Sequence, residues 1–126
     1  MTKFKSQNFF RTFKNARKGM RLSIKSERNI RIHLMCALLS LTTAFYFNFS
    51  AIKICILLFA IGGVISMEMM NSAIEFALDS IYHNRYSRMV GMAKDIAAGA
   101  VMVMTFVAIA VGVLLFTPPF YEMFIK

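Results

Sequence analysis

The chain has 126 residues, of which 58% are hydrophobic, and its mean hydropathy is +0.59. This composition excludes an ordinary soluble enzyme or binding domain and predicts one all-α integral membrane domain over residues 1–126. The net charge of +9 is carried by residues 1–31, which hold ten Lys and Arg against one acid, Glu27. Such a basic arm could bind nucleic acid. Beside a membrane domain, attraction to anionic lipid headgroups is the simpler explanation, so we predict membrane lipids and no nucleic acid as its partners.

The first predicted element is an amphipathic helix over about residues 6–26. Its apolar residues recur at helical spacing among Arg and Lys: Phe9, Phe10, Phe13, Ala16, Met20 and Ile24. This pattern is typical of a helix that lies in the membrane interface, with its basic side towards the headgroups. A transit peptide is the alternative, but no small-residue cleavage pattern follows the basic stretch.

Three apolar segments follow and are predicted to cross the membrane: about residues 30–48, 51–82 and 92–117. The first is short against the roughly 20 apolar residues that a bilayer requires, and it is expected to close at residues 48–50. The third is expected to stop at Pro118 and Pro119, because proline cannot continue a helix. A bundle this small buries little surface by itself, so oligomerisation is expected.

The distribution of Lys and Arg predicts the orientation of the spans. The basic N-terminal arm is cytoplasmic, and the turn near Lys53 is outside. The loop of Arg85, Arg88 and Lys94 returns to the cytoplasm, and the tail that ends at Lys126 is outside. We therefore expect a multi-pass membrane protein with its N-terminus inside and its C-terminus outside.

Polar residues form a stripe at the cytoplasmic end of the second predicted span. Spacings of three and four residues place them within about 60° around one helix: Glu68, Asn71, Glu75 and Asp79. Carboxylates at the edge of a bilayer are costly, so they are usually buried in protein and functional. The alternative is that these acids are interfacial and pair with Lys or Arg of neighbouring helices.

The spacing of the acids suggests two different tasks. Glu68 and Glu75 are about 10.5 Å apart along a helix, too far to hold one metal ion tightly by themselves. Mg²⁺ usually takes one or two carboxylates together with phosphate oxygens. One acid could therefore serve a metal-bound nucleotide, while the deeper one meets a substrate from the lipid side.

Further polar residues give weaker signals. Lys94 and Asp95 precede the third apolar segment, where such a pair often serves topology alone. A functional role for the pair is better supported if the third span lies against the second, because Lys94 would then lie near phosphates bound at Glu75. Glu27 could simply pair with Arg31 four residues later.

The histidines and cysteines carry no metal-site pattern. His33 and His83 are expected to be interfacial hydrogen-bonding residues, because neither has a second histidine or cysteine at ligand spacing. Cys36 and Cys55 are expected to be buried as small hydrophobes. No phosphate-binding loop, dinucleotide fingerprint or protein-kinase catalytic loop occurs in the sequence.

Three segments together resemble a known family. EMMNSAIE at residues 68–75, with Asp79 beyond it, and AKDIAAGAV at residues 93–101 resemble the signature of small bacterial integral-membrane lipid kinases. This is the prokaryotic diacylglycerol kinase and undecaprenol kinase family, and the resemblance covers about residues 10–115. ERNIRIH at residues 27–33 is similar to the undecaprenol kinase branch, whereas Gly91 resembles the diacylglycerol kinase branch.

The resemblance implies a homotrimer of three-span subunits in the bacterial cytoplasmic membrane, each with an amphipathic N-terminal helix. Active sites would be shared between subunits near the cytoplasmic surface. Glu68 would be the general base that takes the proton from the lipid hydroxyl. Glu27 and Glu75 would hold the Mg²⁺ of Mg-ATP. Asn71 would help to set the catalytic geometry.

The same resemblance implies that Lys94 and Asp95 contact ATP. The expected function is ATP- and Mg²⁺-dependent phosphorylation of a membrane lipid alcohol at the cytoplasmic face, with undecaprenol somewhat favoured as acceptor. The alternative within the family is a kinase that recycles diacylglycerol to phosphatidic acid. From other classes, a small ion-coupled transporter subunit would place its acids near the midplane of the membrane. A non-catalytic membrane adaptor would use the basic arm, but this function would not explain the polar stripe of the second span.

Overall fold

The computed structural model describes residues 8–83 and 87–125, and in these ranges it shows four α-helices and no strand. Their bounds are α1 Phe9–Ser26, α2 Arg28–Tyr46, α3 Ala51–Tyr82 and α4 Arg88–Ile125. α3 packs against α2 and α4 and also contacts α1. The predicted all-α architecture is therefore confirmed. The predicted start of the first helix at residue 6, the loop residues Arg85 and Tyr86, and Lys126 lie outside the described residues.

α1 is amphipathic and makes little contact with the bundle. None of its residues is buried, and the phenyl rings of Phe9, Phe10 and Phe13 are largely exposed. Exposed phenylalanines beside arginines and lysines suit the boundary between headgroups and acyl chains. The helix is present where its pattern predicts it, and its interfacial location stays a prediction.

A single extended residue, Glu27, separates α1 from α2. The guanidinium of Arg31 reaches back and donates to the carbonyls of Ile24 and Lys25, at 3.1 and 3.0 Å. It thereby satisfies carbonyls that the end of a helix leaves without a partner. The ion pairs of the described residues do not include Glu27 with Arg31, so the simple pairing expected for Glu27 is wrong.

The chain reverses between α2 and α3 over residues 47–50, one residue earlier than the predicted reversal at residues 48–50. Asn48 takes a φ of +50°, a left-handed conformation that asparagine adopts more readily than most residues. Ser50 is the N-cap residue of α3. Its hydroxyl oxygen accepts a long hydrogen bond of 3.5 Å from the Lys53 backbone amide. The buried core of this end of the bundle is formed by Ala44, Phe49 and Leu57.

α4 does not end where the sequence suggests. It continues through Pro118 and Pro119 to Ile125, so the predicted stop at the two prolines is wrong. The hydroxyl of Thr117 donates to the Val113 carbonyl at 2.6 Å. Hydrogen bonds of this kind bend a helix, and a helix that contains a proline ring has to bend. One turn further, the ring of Phe120 packs on Phe47 with centroids 4.9 Å apart. This contact helps to stabilise the helical segment beyond the prolines.

Two of the four helices are long and apolar enough to span a membrane. These are α3 and α4, whose most apolar windows have mean hydropathies of 2.0 and 2.6. α2 is not among them, because Arg28, Arg31 and His33 occupy its first two turns. Its role as a third span therefore stays a prediction.

Most of the large apolar side chains in the described ranges are exposed. Only 22% of the α3 window and 6% of the α4 window are buried inside the bundle. Cys36 and Cys55 are both exposed, so the expectation that they are buried is wrong. Three packed helices have too little interior to enclose more than a narrow seam of residues.

Candidate functional site

The polar stripe of α3 continues the side of the helix that is buried in the bundle. The buried residues of α3 recur at spacings of three and four: Leu57, Ala60, Val64, Glu68 and Ser72. Asn71, Glu75 and Asp79 extend the same side and are partly exposed. The stripe therefore begins inside the bundle at Glu68 and opens towards the surface as α3 approaches its C-terminal end.

Glu68 lies in the seam between α2 and α3. Its side chain is only 7% exposed, and its Oε1 is 3.3 Å from Nε2 of His33 on α2, whose side chain is 25% exposed. His33 is predicted to be an interfacial hydrogen-bonding residue; the structure gives it this polar contact with Glu68, a partner that was not predicted from the sequence. The missed signal is that Ile30 and Ala37, one turn before and after His33, are apolar residues of a buried helix face.

Asn71 and Glu75 form the next level of the site. The amide Nδ2 of Asn71 donates to Oε1 of Glu75 at 3.0 Å. Oδ1 of Asn71 is buried and has no hydrogen-bond partner among the described residues. A carboxylate and an unpaired amide oxygen side by side are hard oxygen ligands of the kind that Mg²⁺ prefers.

Lys94 and Asp79 form the level nearest the end of α3. Nζ of Lys94 on α4 is 2.6 Å from Oδ1 of Asp79, and the two side chains are 33% and 41% exposed. Asp95, the next residue, is exposed. The interpretation of the stripe as acids paired with lysines of neighbouring helices is thus correct for Asp79. It does not describe Glu68 or Glu75.

The register of α2 against α3 sets the height of Glu27. α2 and α3 are antiparallel neighbours across a short turn, and His33 lies level with Glu68. Glu27 directly precedes α2, six residues before His33, and Glu75 is about 10.5 Å along α3 from Glu68. Because the two helices are antiparallel, Glu27 and Glu75 both lie towards the same end of the bundle.

The donor set fits a metal ion that is shared with a phosphate compound. Within residues 8–83 and 87–125, no group of three or more His, Cys, Asp or Glu side chains could hold a metal ion alone. Glu27 and Glu75, with the amide oxygen of Asn71, could supply the few protein ligands that Mg²⁺ takes when phosphate oxygens complete its coordination.

An apolar cavity adjoins the buried end of the site. It has a volume of about 330 Å³ and lies between α2, α3 and α4, where its lining includes His33, Val64 and Ile109. The opposite end of the site carries the partly exposed carboxylate and ammonium groups of Asp79 and Lys94. The arrangement can therefore bring an apolar molecule and a water-soluble anion to the two ends of one row of acids.

Comparison with known proteins gives one family along most of the chain. A family model described as prokaryotic diacylglycerol kinase matches residues 14–116. The undecaprenol kinase of Bacillus subtilis is 36% identical over 110 residues, which cover 87% of this chain and 89% of that protein. The diacylglycerol kinase of Synechocystis is 30% identical over 118 residues, covering 94% and 67%. That of Escherichia coli K12 is 32% identical over 92 residues, covering 73% and 75%.

Proposed function

The chain belongs to the prokaryotic diacylglycerol kinase family, and from this membership we propose that it transfers the γ-phosphoryl group of ATP to the hydroxyl of a membrane lipid alcohol. Membership makes the protein a lipid kinase, in place of the transporter and adaptor interpretations. We propose undecaprenol as the acceptor, because the undecaprenol kinase matches with higher identity over more of its own length than the two diacylglycerol kinases. Diacylglycerol is the alternative acceptor.

The observation that carries the proposal is a buried carboxylate beside an apolar cavity. Glu68 is enclosed between α2 and α3, and its neighbour His33 lines the cavity. A lipid chain in this cavity would bring its hydroxyl to the carboxylate. Glu68 then accepts the hydroxyl proton while the oxygen forms a bond to the γ-phosphorus, the bond from that phosphorus to the bridging oxygen breaks, and ADP leaves.

The outer levels of the site suit the nucleotide. Glu27 and Glu75 would hold the Mg²⁺ of Mg-ATP, which when bound neutralises charge on the phosphates. The hydrogen bond from Asn71 to Glu75 orients that carboxylate. Lys94 would contact ATP phosphates with its ammonium group, and Asp95 would contact the nucleotide.

The placement of the helices agrees with a three-span protein. α3 and α4 have the length and hydropathy of spans, and the 19 residues of α2 reach about 28 Å, close to the roughly 30 Å hydrocarbon core. α1 would lie in the cytoplasmic interface. With the N-terminus inside, the row from Glu68 to Asp79 runs towards the cytoplasm, from which ATP comes.

The test is lipid phosphorylation by the purified protein in mixed micelles. With Mg-ATP, we expect transfer of labelled phosphate to undecaprenol, and to diacylglycerol at a lower rate. Glu68→Gln should lower kcat by at least about a hundredfold, since an amide cannot accept the hydroxyl proton. Comparing the two acceptors in one assay decides between them.

Ser72→Ala is the matched control for Glu68→Gln. Ser72 is buried one turn along the same face, and its hydroxyl donates to the Glu68 backbone carbonyl. This variant disturbs the same seam without touching the carboxylate, so it should keep most of the activity. Absence of phosphate transfer to either lipid by the wild-type protein would sink the proposal, as would full turnover by Glu68→Gln.

A further inference from the structure

His33 reaches Glu68 from a different helix, and the reaction proposed above gives it no task. The two side chains meet at 3.3 Å, from Nε2 of His33 to Oε1 of Glu68. This is slightly longer than most N–H···O hydrogen bonds. Polar contacts of catalytic groups commonly shorten when the reacting complex forms.

The packing of α2 on α3 holds both side chains in place. His33 lies between Ile30 and Ala37 on one side of α2, and both of these are buried. Glu68 lies between Val64 and Ser72 on one side of α3, and these are buried as well. Each polar residue is thus in the middle of a packed helix face, so the contact belongs to the helix interface and not to a mobile surface.

A carboxylate as buried as Glu68 needs a polar partner. A neutral imidazole can supply one by donating its Nε2–H. Such a contact occupies Oε1 of Glu68 and leaves Oε2 to accept the proton of a substrate hydroxyl. It also restrains a side chain that otherwise rotates about three bonds.

From these observations we propose that His33 is the positioning residue of Glu68: its Nε2–H holds the carboxylate in the orientation from which it accepts the lipid hydroxyl proton. The inference rests on the proposed kinase function, and it assigns to α2 a part in the reaction step itself. His33 also lines the apolar cavity, so the pair lies where the lipid hydroxyl arrives. A base that is itself oriented by a third group is a common arrangement in enzymes.

The experiment compares His33→Leu with His33→Gln in the lipid kinase assay. Leucine fills the space but cannot donate, so kcat should fall about tenfold to a hundredfold while KM for ATP stays within about twofold. Glutamine carries an N–H that can reach the same carboxylate, so it should restore kcat to within a few-fold of wild type. Thr42→Ala is the control on the same helix, because that hydroxyl donates only to the Leu38 carbonyl of its own helix.

A double variant separates positioning from simple packing. In a Glu68→Gln background, His33→Leu should lower the residual rate no further, because its effect acts through the carboxylate. Thermal unfolding of each variant is measured alongside. Equal losses of kcat with Leu and Gln, or an undiminished effect of His33→Leu in the Glu68→Gln background, would overturn the proposal.

The same assay distinguishes a failure of the proposed kinase function from a failure of the positioning role of His33. If the wild-type protein phosphorylates neither lipid, the proposed function fails. If the wild-type protein is active and His33→Leu leaves kcat unchanged, the positioning role alone fails.

Discussion

The three acids of the α3 stripe have three different kinds of partner, and the difference follows their burial. Glu68, the most buried, contacts the imidazole of His33, whereas the intermediate Glu75 accepts from the amide of Asn71. Asp79, whose side chain is 41% exposed, pairs with Lys94. The cost of leaving a charge without a partner grows as water is excluded. The inner contact is therefore structurally demanding, while the outer ion pair contributes about 0–1 kcal/mol and is easily exchanged.

A prediction follows for the outer pair. Asp79→Asn should change the free energy of unfolding by less than about 1 kcal/mol, because both side chains are partly solvated, and KM for ATP should stay within a few-fold. Lys94→Ala removes the proposed phosphate contact, so kcat/KM for ATP should fall by at least about tenfold. Steady-state kinetics of the two variants at several ATP concentrations provide the measurement. If Asp79→Asn lost as much activity as Lys94→Ala, the ion pair itself would be the essential feature.

At the scale of the elements, α3 and α4 approach each other closely where α3 has a glycine. A Cβ atom added to Gly63 would meet the side chain of Met104, whereas one added to Gly62 would meet nothing within 4 Å. The close approach is therefore specific to Gly63. α4 also shows how tertiary contact overrides a local signal, because the packing of Phe120 on Phe47 accompanies a helix that passes two prolines.

The adjacent glycines give a matched pair of variants. Gly62→Ala should stabilise the protein by roughly 0.5–1 kcal/mol, because alanine loses less backbone entropy in a helix. Gly63→Ala should show less stabilisation or a loss, since its methyl group must displace Met104. Thermal unfolding in the same detergent measures both. Adding Met104→Ala to Gly63→Ala should reduce the difference, and equal gains at the two glycines would contradict the close approach.

At the scale of the whole molecule, far more of the large hydrophobic side chains of the described residues are exposed than buried. α4 is buried over only 6% of its most apolar window, and the exposed cysteines lie on similarly apolar helices. Part of this surface suits lipid. A bundle too small to form a large core gains stability if part of such a surface is covered by further copies of the chain.

We therefore expect a homotrimer, the assembly that the family resemblance implies. Light scattering with detergent correction should give a protein mass of about three subunits of 14.3 kDa each. Dilution that dissociates the oligomer should abolish lipid kinase activity, because the site would lose the residues of neighbouring subunits. A fully active monomer at the same dilution would contradict this expectation.

The amino-acid sequence by itself determined the local features of this protein. Helical periodicity and hydropathy predicted the helices, the reversal at residues 48–50 and the polar stripe of α3, because each depends on residues within a few turns of one another. The motifs around Glu68 and Lys94 also carried the family. These features depend on residues that are close together in the sequence, so they can be predicted without knowing which helices pack against each other.

Only the tertiary structure decided which helix faces meet. In it, His33 contacts Glu68 and Lys94 pairs with Asp79. Arg31 donates to the carbonyls at the end of α1 and does not pair with Glu27, and α4 continues beyond its two prolines. Each of these outcomes depends on the rotation and register of one helix against another. Those are set by side-chain packing along the whole interface, which no local spacing encodes.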